Sequence, residues 1–154
     1  EGRYDIVRLG LNARMDTLQA AVLLSKLTIF EDEIQRRREV AEHYNKCLTG
    51  LVETPVQLPG TASIWAQYTI KLPHRDKIAA HLREQGIPTQ IYYPLPMHLQ
   101  PAYAPYGNGV GSLPVSEQLC HEVLALPMHP YLDEGTIERI RDALAEGLRM
   151  GQSR

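Results

Sequence analysis

Gly10-Leu11-Asn12-Ala13-Arg14-Met15-Asp16-Thr17-Leu18-Gln19-Ala20-Ala21 is the stretch on which the rest of the chain turns. Asp16 offers a side-chain oxygen at an N-cap position and Gln19 stands three residues on. That is the spacing of a capping box, and it predicts a helix from Asp16. Leu18, Ala21, Val22, Leu24, Leu27 and Ile29 follow, apolar on nearly every side. Such a helix is expected to be buried on more than one face. From Glu31 the pattern changes. Glu31, Asp32, Glu33, Gln35, Arg36, Arg37, Arg38 and Glu39 leave Ile34, Val40, Ala41 and Tyr44 as a narrower apolar stripe. This reads as a one-sided surface helix ending near Gly50, a usual residue just past a helix end, with a kink or break around residues 28–31.

Just before the cap, Asn12 and Arg14 stand two apart on a segment entering a helix. Amide hydrogens, a guanidinium fork and the partial positive charge of a helix start can converge on an anion. A plain loop with an Asx turn is the competing reading of the same residues.

Downstream of Gly50, Pro55 and Pro59 bracket a short segment. Residues 64–72 (IWAQYTIKL) are rich in aromatic and β-branched side chains and predict a strand. Residues 75–85 predict a short helix with Ile78, Ala79 and Leu82 inward, stopped by Gly86. A second strand is expected over 87–93, a loop over 94–114, a helix over 116–124 and an extended segment over 123–128. A final amphipathic helix over 133–148 places Ile137, Ile140, Leu144 and Leu148 on one face. Alternating helices and strands after residue 60 indicate a small α/β (α+β) fold. No internal repeat is present.

Composition narrows the function classes. The chain has 154 residues, 44% apolar and 22% charged, with a formal net charge of −2. That suits one domain, or one domain with an appendage, and argues against disorder. The near-neutral balance argues against nucleic-acid binding through a basic face. No apolar run approaches the roughly 18 residues of a membrane span. The opening Glu1-Gly2-Arg3-Tyr4-Asp5 has neither an initiating Met nor a signal pattern, and reads as the interior of a longer protein. Cys47 and Cys120 are far apart and form no Cys-x-x-Cys pair, as suits a reducing cytoplasm.

Conventional catalytic signatures are missing. There is no Gly-x-Ser-x-Gly elbow. Gly107-Asn108-Gly109-Val110-Gly111 lacks the Lys-Ser/Thr of a phosphate loop and reads as a flexible loop. The six histidines are scattered, so no metal site is expected, and His43 and His81 are expected to face solvent. Lys26 lies within the apolar helix. It could serve a Schiff base if buried, but a snorkelling side chain at a helix edge is the preferred reading. Six of the eleven prolines and four of the eight tyrosines fall between Pro88 and Pro114. Prolines stiffen such a loop without ladder hydrogen bonds, and a stiff loop can hold phenols and the His98 imidazole over a polar ligand. A packed surface loop or a Pro-rich docking segment fits the same residues.

Taken together, these segments resemble the DegT-type (DegT/StrS) sugar-nucleotide aminotransferases, pyridoxal-phosphate (PLP) proteins of the aspartate-aminotransferase fold. The opening stretch is similar to that family's G-x-N-x-R-M-x-x-L-Q-A-A motif. The likeness continues through Arg36-Arg37-Arg38 and Tyr44, then Gly86-Ile87-Pro88-Thr89, Tyr92-Tyr93-Pro94 and His98. It runs on through Leu113-Pro114-Val115-Ser116-Glu117 and Leu124-Ala125-Leu126-Pro127-Met128-His129-Pro130.

The resemblance implies the C-terminal portion of the fold: residues 1–50 as the end of the large domain with a long linking helix, and residues 51–154 as the small domain, a small sheet flanked by helices. It implies that Asn12 reaches the PLP phosphate of the neighbouring subunit of a homodimer. It implies that Arg14, Tyr92, Tyr93 and His98 bind the sugar; Tyr92 stands where the family often has His. The branch most similar acts on UDP-linked 2-acetamido-3-keto-glucuronate, with glutamate as the amino donor, in surface polysaccharide (O-antigen) synthesis. The family's aldimine lysine lies upstream of the opening motif. None of Lys26, Lys46, Lys71 or Lys77 stands in its context, so the chain alone is expected to be inactive. A non-catalytic sugar-nucleotide-binding or interaction domain, or a PLP-dependent dehydratase of the same family, are the alternatives.

Overall fold

The computed structural model describes residues 5–8, 10 and 14–152. Two helices open it: α1 (Thr17–Leu27) and α2 (Phe30–Leu48). They are followed by strand β1 (Tyr68–Lys71), helix α3 (Arg75–Glu84), two short 3₁₀ turns (Met97–Leu99 and Ala104–Tyr106), helix α4 (Pro114–Glu122), strand β2 (Val123–Leu126) and helix α5 (Glu134–Gln152). β1 and β2 pair antiparallel, with Tyr68 opposite Leu126 and Ile70 opposite Leu124. Helix α5 lies against both α3 and α2.

The core follows from the helical and strand periodicities. Ala41, Tyr44 and Leu48 of α2 are buried together with Ile78 and Leu82 of α3 and Ile137, Ile140 and Leu144 of α5. Tyr68 and Ile70 of β1 and Leu124 and Leu126 of β2 join the same cluster. Full burial of each such aliphatic side chain is worth about 1.5–3 kcal/mol. The polar ends within this cluster are satisfied. The Tyr44 and Tyr68 rings stack at 4.7 Å. Tyr44 Oη–H donates to the Pro127 carbonyl at 2.8 Å and Tyr68 Oη–H to Asn45 Oδ1 at 2.6 Å. Arg37 Nη1 donates to the Trp65 carbonyl at 3.1 Å, tying α2 to the segment before β1. Buried Arg75 donates to the Val123 carbonyl at 3.1 Å and joins the start of α3 to β2.

Several sequence expectations hold. The backbone breaks between α1 and α2, and the Asp16 N–H donates to Gln19 Oε1 at 3.1 Å, one arm of the capping box. Gly50 and Gly86 follow α2 and α3 with φ of +78° and +73°, the left-handed region that glycine enters without strain. Lys26 is exposed. Cys47 and Cys120 are both free.

Others are corrected. Helix α1 has no buried residue, and Leu18 and Leu24 are 82% and 67% exposed. It touches α2 across the break, and its apolar side chains stay exposed. The strand expected over 64–72 begins only at Tyr68, because Trp65 has φ of +48°, outside the β region. The strand expected over 87–93 is reduced to a single bridge, Gln90 to Ala125. Pro88 has no N–H to offer a ladder. His43 and His81 do not face solvent; both are half-buried, near Glu134 and Glu146 at 3.7 Å each. His81 lies against Gly147 of α5, where a Cβ would meet its ring at 3.1 Å, so the notch left by the glycine takes the imidazole.

Candidate functional site

The Pro- and Tyr-rich loop forms one wall of a cavity of about 700 Å³. Tyr92, Tyr93 and His98 all line it, with Ile6, Gln100, Ser116 and Cys120 among the other walls. Three residues singled out in the sequence thus meet at one place. Tyr92 and Tyr93 stand edge to face, ring centroids 5.7 Å apart. Another depression of about 600 Å³ lies between residues 50–53 and 71–73. Its Lys71 Nζ and Glu53 Oε1 satisfy each other at 2.8 Å, and none of the sequence-predicted site residues lines it.

The loop is stiffened by proline and then fastened by two polar residues that sequence reasoning did not assign. Gln100 is only 2% exposed, and its Oε1 accepts the Ile6 N–H at 3.1 Å. The Ala102 N–H donates back to the Ile6 carbonyl at 2.9 Å, so the segment at Ile6 is laid against the loop. Glu117, in the first turn of α4, is the second fastener. Its two carboxylate oxygens accept the Gly111 N–H at 2.9 Å each. Oε1 also accepts the Leu113 N–H at 3.2 Å and lies 3.0 Å from His98 Nε2. The Gly111 N–H, then His98 and Leu113, hold the Glu117 carboxyl below its ordinary range, against a smaller opposing effect of burial. Nothing in a single sequence separates a buried Gln in such a loop from a solvated one. For Glu117 the signal available was its place three residues inside a helix opened by Pro114, where a carboxylate meets free N–H groups.

Arg14 is not brought to this cavity. Its side chain is exposed and Nη2 rests 3.3 Å from Asp16 Oδ1. An ion pair so exposed contributes little to stability. Asn12 lies outside the described residues. Among the described residues no group of His, Cys, Asp and Glu is arranged to hold a metal ion, and no helix is long and apolar enough to cross a membrane.

The cavity's chemistry is that of phenols, an imidazole and a hydroxyl set among apolar walls, the Gln100 amide being engaged with Ile6 and Leu95. Such a lining suits a neutral, polyhydroxylated ligand with apolar faces. No lysine lines it. This cavity by itself therefore offers no lysine to hold PLP.

Comparison with known proteins places these features in context. The model of the DegT/DnrJ/EryC1/StrS aminotransferase family matches residues 1–145. The chain is 43% identical over 143 residues to a UDP-2-acetamido-2-deoxy-3-oxo-D-glucuronate aminotransferase of Pseudomonas aeruginosa, covering 92% of this chain and 39% of that protein. It is 36% identical over 141 residues to a UDP-N-acetyl-3-dehydro-alpha-D-glucosamine 3-aminotransferase of Acidithiobacillus ferrooxidans, covering 91% and 38%. Among solved structures, a DegT/DnrJ/EryC1/StrS aminotransferase from Brucella abortus superposes with a TM-score of 0.81 at 46% identity, over 100% of this chain and 40% of that one. DesV of S. venezuelae, solved with a ketimine intermediate, superposes with a TM-score of 0.82 at 37% identity, over 94% and 40%. The chain spans about two-fifths of the length of these relatives. By sequence and by fold, this chain belongs to the DegT/DnrJ/EryC1/StrS aminotransferase family.

Proposed function

We propose that this chain is the sugar-binding portion of a PLP-dependent aminotransferase that moves an amino group from glutamate to a keto-sugar nucleotide. The observation that carries this reading is the gathering of Tyr92, Tyr93 and His98 on one cavity without a lysine, in a chain of this family. UDP-linked 3-keto sugars are the substrates named for the relatives from P. aeruginosa and A. ferrooxidans, which supports a UDP-linked 3-keto sugar here. On this reading the product feeds surface polysaccharide (O-antigen) synthesis in the cytoplasm.

PLP is the cofactor of the family's aminotransferases, and when bound it supplies an electron sink for amino transfer. Its lysine is proposed to come from a part of the protein outside this chain. Asn12 is proposed to reach its phosphate in the neighbouring subunit of a homodimer. Arg14, solvent-facing within this chain, is proposed to reach the sugar across the same interface. Residues 1–50 then serve as the end of the large domain and the linking helix, and residues 51–154 as the small domain. Tyr44 and Leu48 of α2 share one buried cluster with Tyr68, Ile78 and Leu144, which supports the linking helix packing into the small domain.

The test is direct. The full-length protein, given PLP, glutamate and a UDP-linked 3-keto sugar, should release 2-oxoglutarate and a 3-amino sugar. His98→Ala should raise the KM for the sugar about tenfold, the worth of one hydrogen bond in a desolvated site. This chain alone, mixed with PLP, should show no Schiff-base absorbance. A stable band lost on Lys26→Ala, or dehydration in place of amino transfer by the full-length protein, would overturn the assignment.

A further inference from the structure

His98 has one ring nitrogen already engaged. Nε2 lies 3.0 Å from Glu117 Oε1, with the His98 side chain only 9% exposed and the Glu117 side chain 17%. A carboxylate offers lone pairs and no hydrogen, so the hydrogen of this contact sits on Nε2. In the neutral imidazole the other nitrogen, Nδ1, then carries a lone pair.

The carboxylate is itself immobilised. Three hydrogen bonds from Gly111 and Leu113 fix it at the entrance to α4. The backbone beneath the ring is held from another side. At Gly107 a Cβ would meet the His98 carbonyl oxygen at 2.7 Å and the His98 Cβ at 3.3 Å. Only glycine allows the loop to close so tightly on His98. The imidazole is thus gripped at both its backbone and its Nε2 edge, while it lines the cavity.

We propose that Glu117 is the positioning residue of this pocket: it fixes the ring and tautomer of His98 so that Nδ1 is presented as a hydrogen-bond acceptor. A neutral acceptor selects a hydroxyl or amide N–H of the ligand and disfavours an anionic group at that point. This rests on the reading of the cavity as the sugar pocket. The assignment of hydrogens can nevertheless be read without substrate or cofactor, so its failure is distinguishable from failure of the transamination test.

The experiment is ¹⁵N-resolved NMR of the histidine rings in the 154-residue chain at alkaline pH. The wild type should show a downfield, slowly exchanging proton on His98 Nε2, with Nδ1 unprotonated. Glu117→Gln keeps an oxygen for the Gly111 and Leu113 amides but loses the charge. It should speed exchange of that proton about tenfold, because the charge-assisted bond becomes a neutral one. Glu117→Ala should abolish the signal. If Glu117 only pins the loop, the Gly111 and Leu113 amides respond to substitution and the His98 ring signal does not. That result, or a wild-type proton on Nδ1, overturns the proposal. Should the Ala variant fail to fold, the wild type and the Gln variant decide.

Discussion

Tyr44 shows how a single side chain joins the layers of this fold. Its ring stacks on Tyr68 and its hydroxyl reaches the Pro127 carbonyl. Tyr44→Phe keeps the stack and removes the donor, leaving a carbonyl at the end of β2 without that partner. A loss of about 1–2 kcal/mol is expected in urea unfolding. Burial pushes the Tyr44 phenol above its ordinary value of 10.0. The folded state therefore resists ionising this group. The corresponding stability is intact below 10.0 and declines as pH rises above it. The Phe variant should lose less of its remaining stability between neutral and alkaline pH than the wild type. From sequence, Tyr44 was legible as part of an apolar stripe, but its hydroxyl partner was not, because Pro127 is 83 residues away. The site residues divide in the same manner. Tyr92, Tyr93 and His98 were conspicuous by type and crowding. Gln100 and Glu117 are ordinary polar residues whose importance comes from who meets them in three dimensions.

Local chemistry sets where the helices begin and end. Gly50 and Gly86 follow two of them, and Pro114 opens a third. Asp133, directly before α5, accepts the Thr136 N–H at 2.8 Å and the Thr136 hydroxyl at 3.0 Å. The Thr136 N–H, then its hydroxyl, hold the Asp133 carboxyl below its ordinary range. A depressed carboxyl contributes stability above its unfolded value and loses it as pH falls through the folded one. Asp133→Ala should therefore destabilise the chain at neutral pH and flatten its loss of stability below about pH 4, as read from urea midpoints at each pH. The ends at Gly50 and Gly86 were legible because caps are local, whereas α4 starts at Pro114, ahead of the expected 116–124, because proline suits a first helical turn. The strands were less so. Apolar and aromatic residues over 64–67 and 87–93 satisfy a strand pattern, yet a left-handed Trp65 and a donorless Pro88 limit the ladder to four pairs. Strand pairing depends on a distant partner's register, which composition does not encode.

At the scale of the molecule, the core is buried and helix α1 is not. Helix α1 carries an apolar exterior of Leu18, Val22, Leu24 and Leu27, all exposed. Apolar surface on this scale drives association. The isolated chain is expected to form dimers or larger assemblies, and pairing Leu18→Glu with Leu24→Lys should shift it towards monomer in light scattering without lowering its unfolding midpoint. A concentrated wild-type chain that remains monomeric would count against this. The run was legible in sequence as a helix needing cover on several sides. What covers it was not, since periodicity reports the demand for burial and never the supplier. A different consequence attaches to the fastening of Gln100 to Ile6. The wall of the cavity is finished by a residue 94 positions earlier in the chain, yet Ile6 takes no part in the buried core. Robustness of the scaffold and integrity of the cavity are therefore separable. A proteolytic nick ahead of α1 would leave a chain that still melts cooperatively but whose chamber has lost one of its sides.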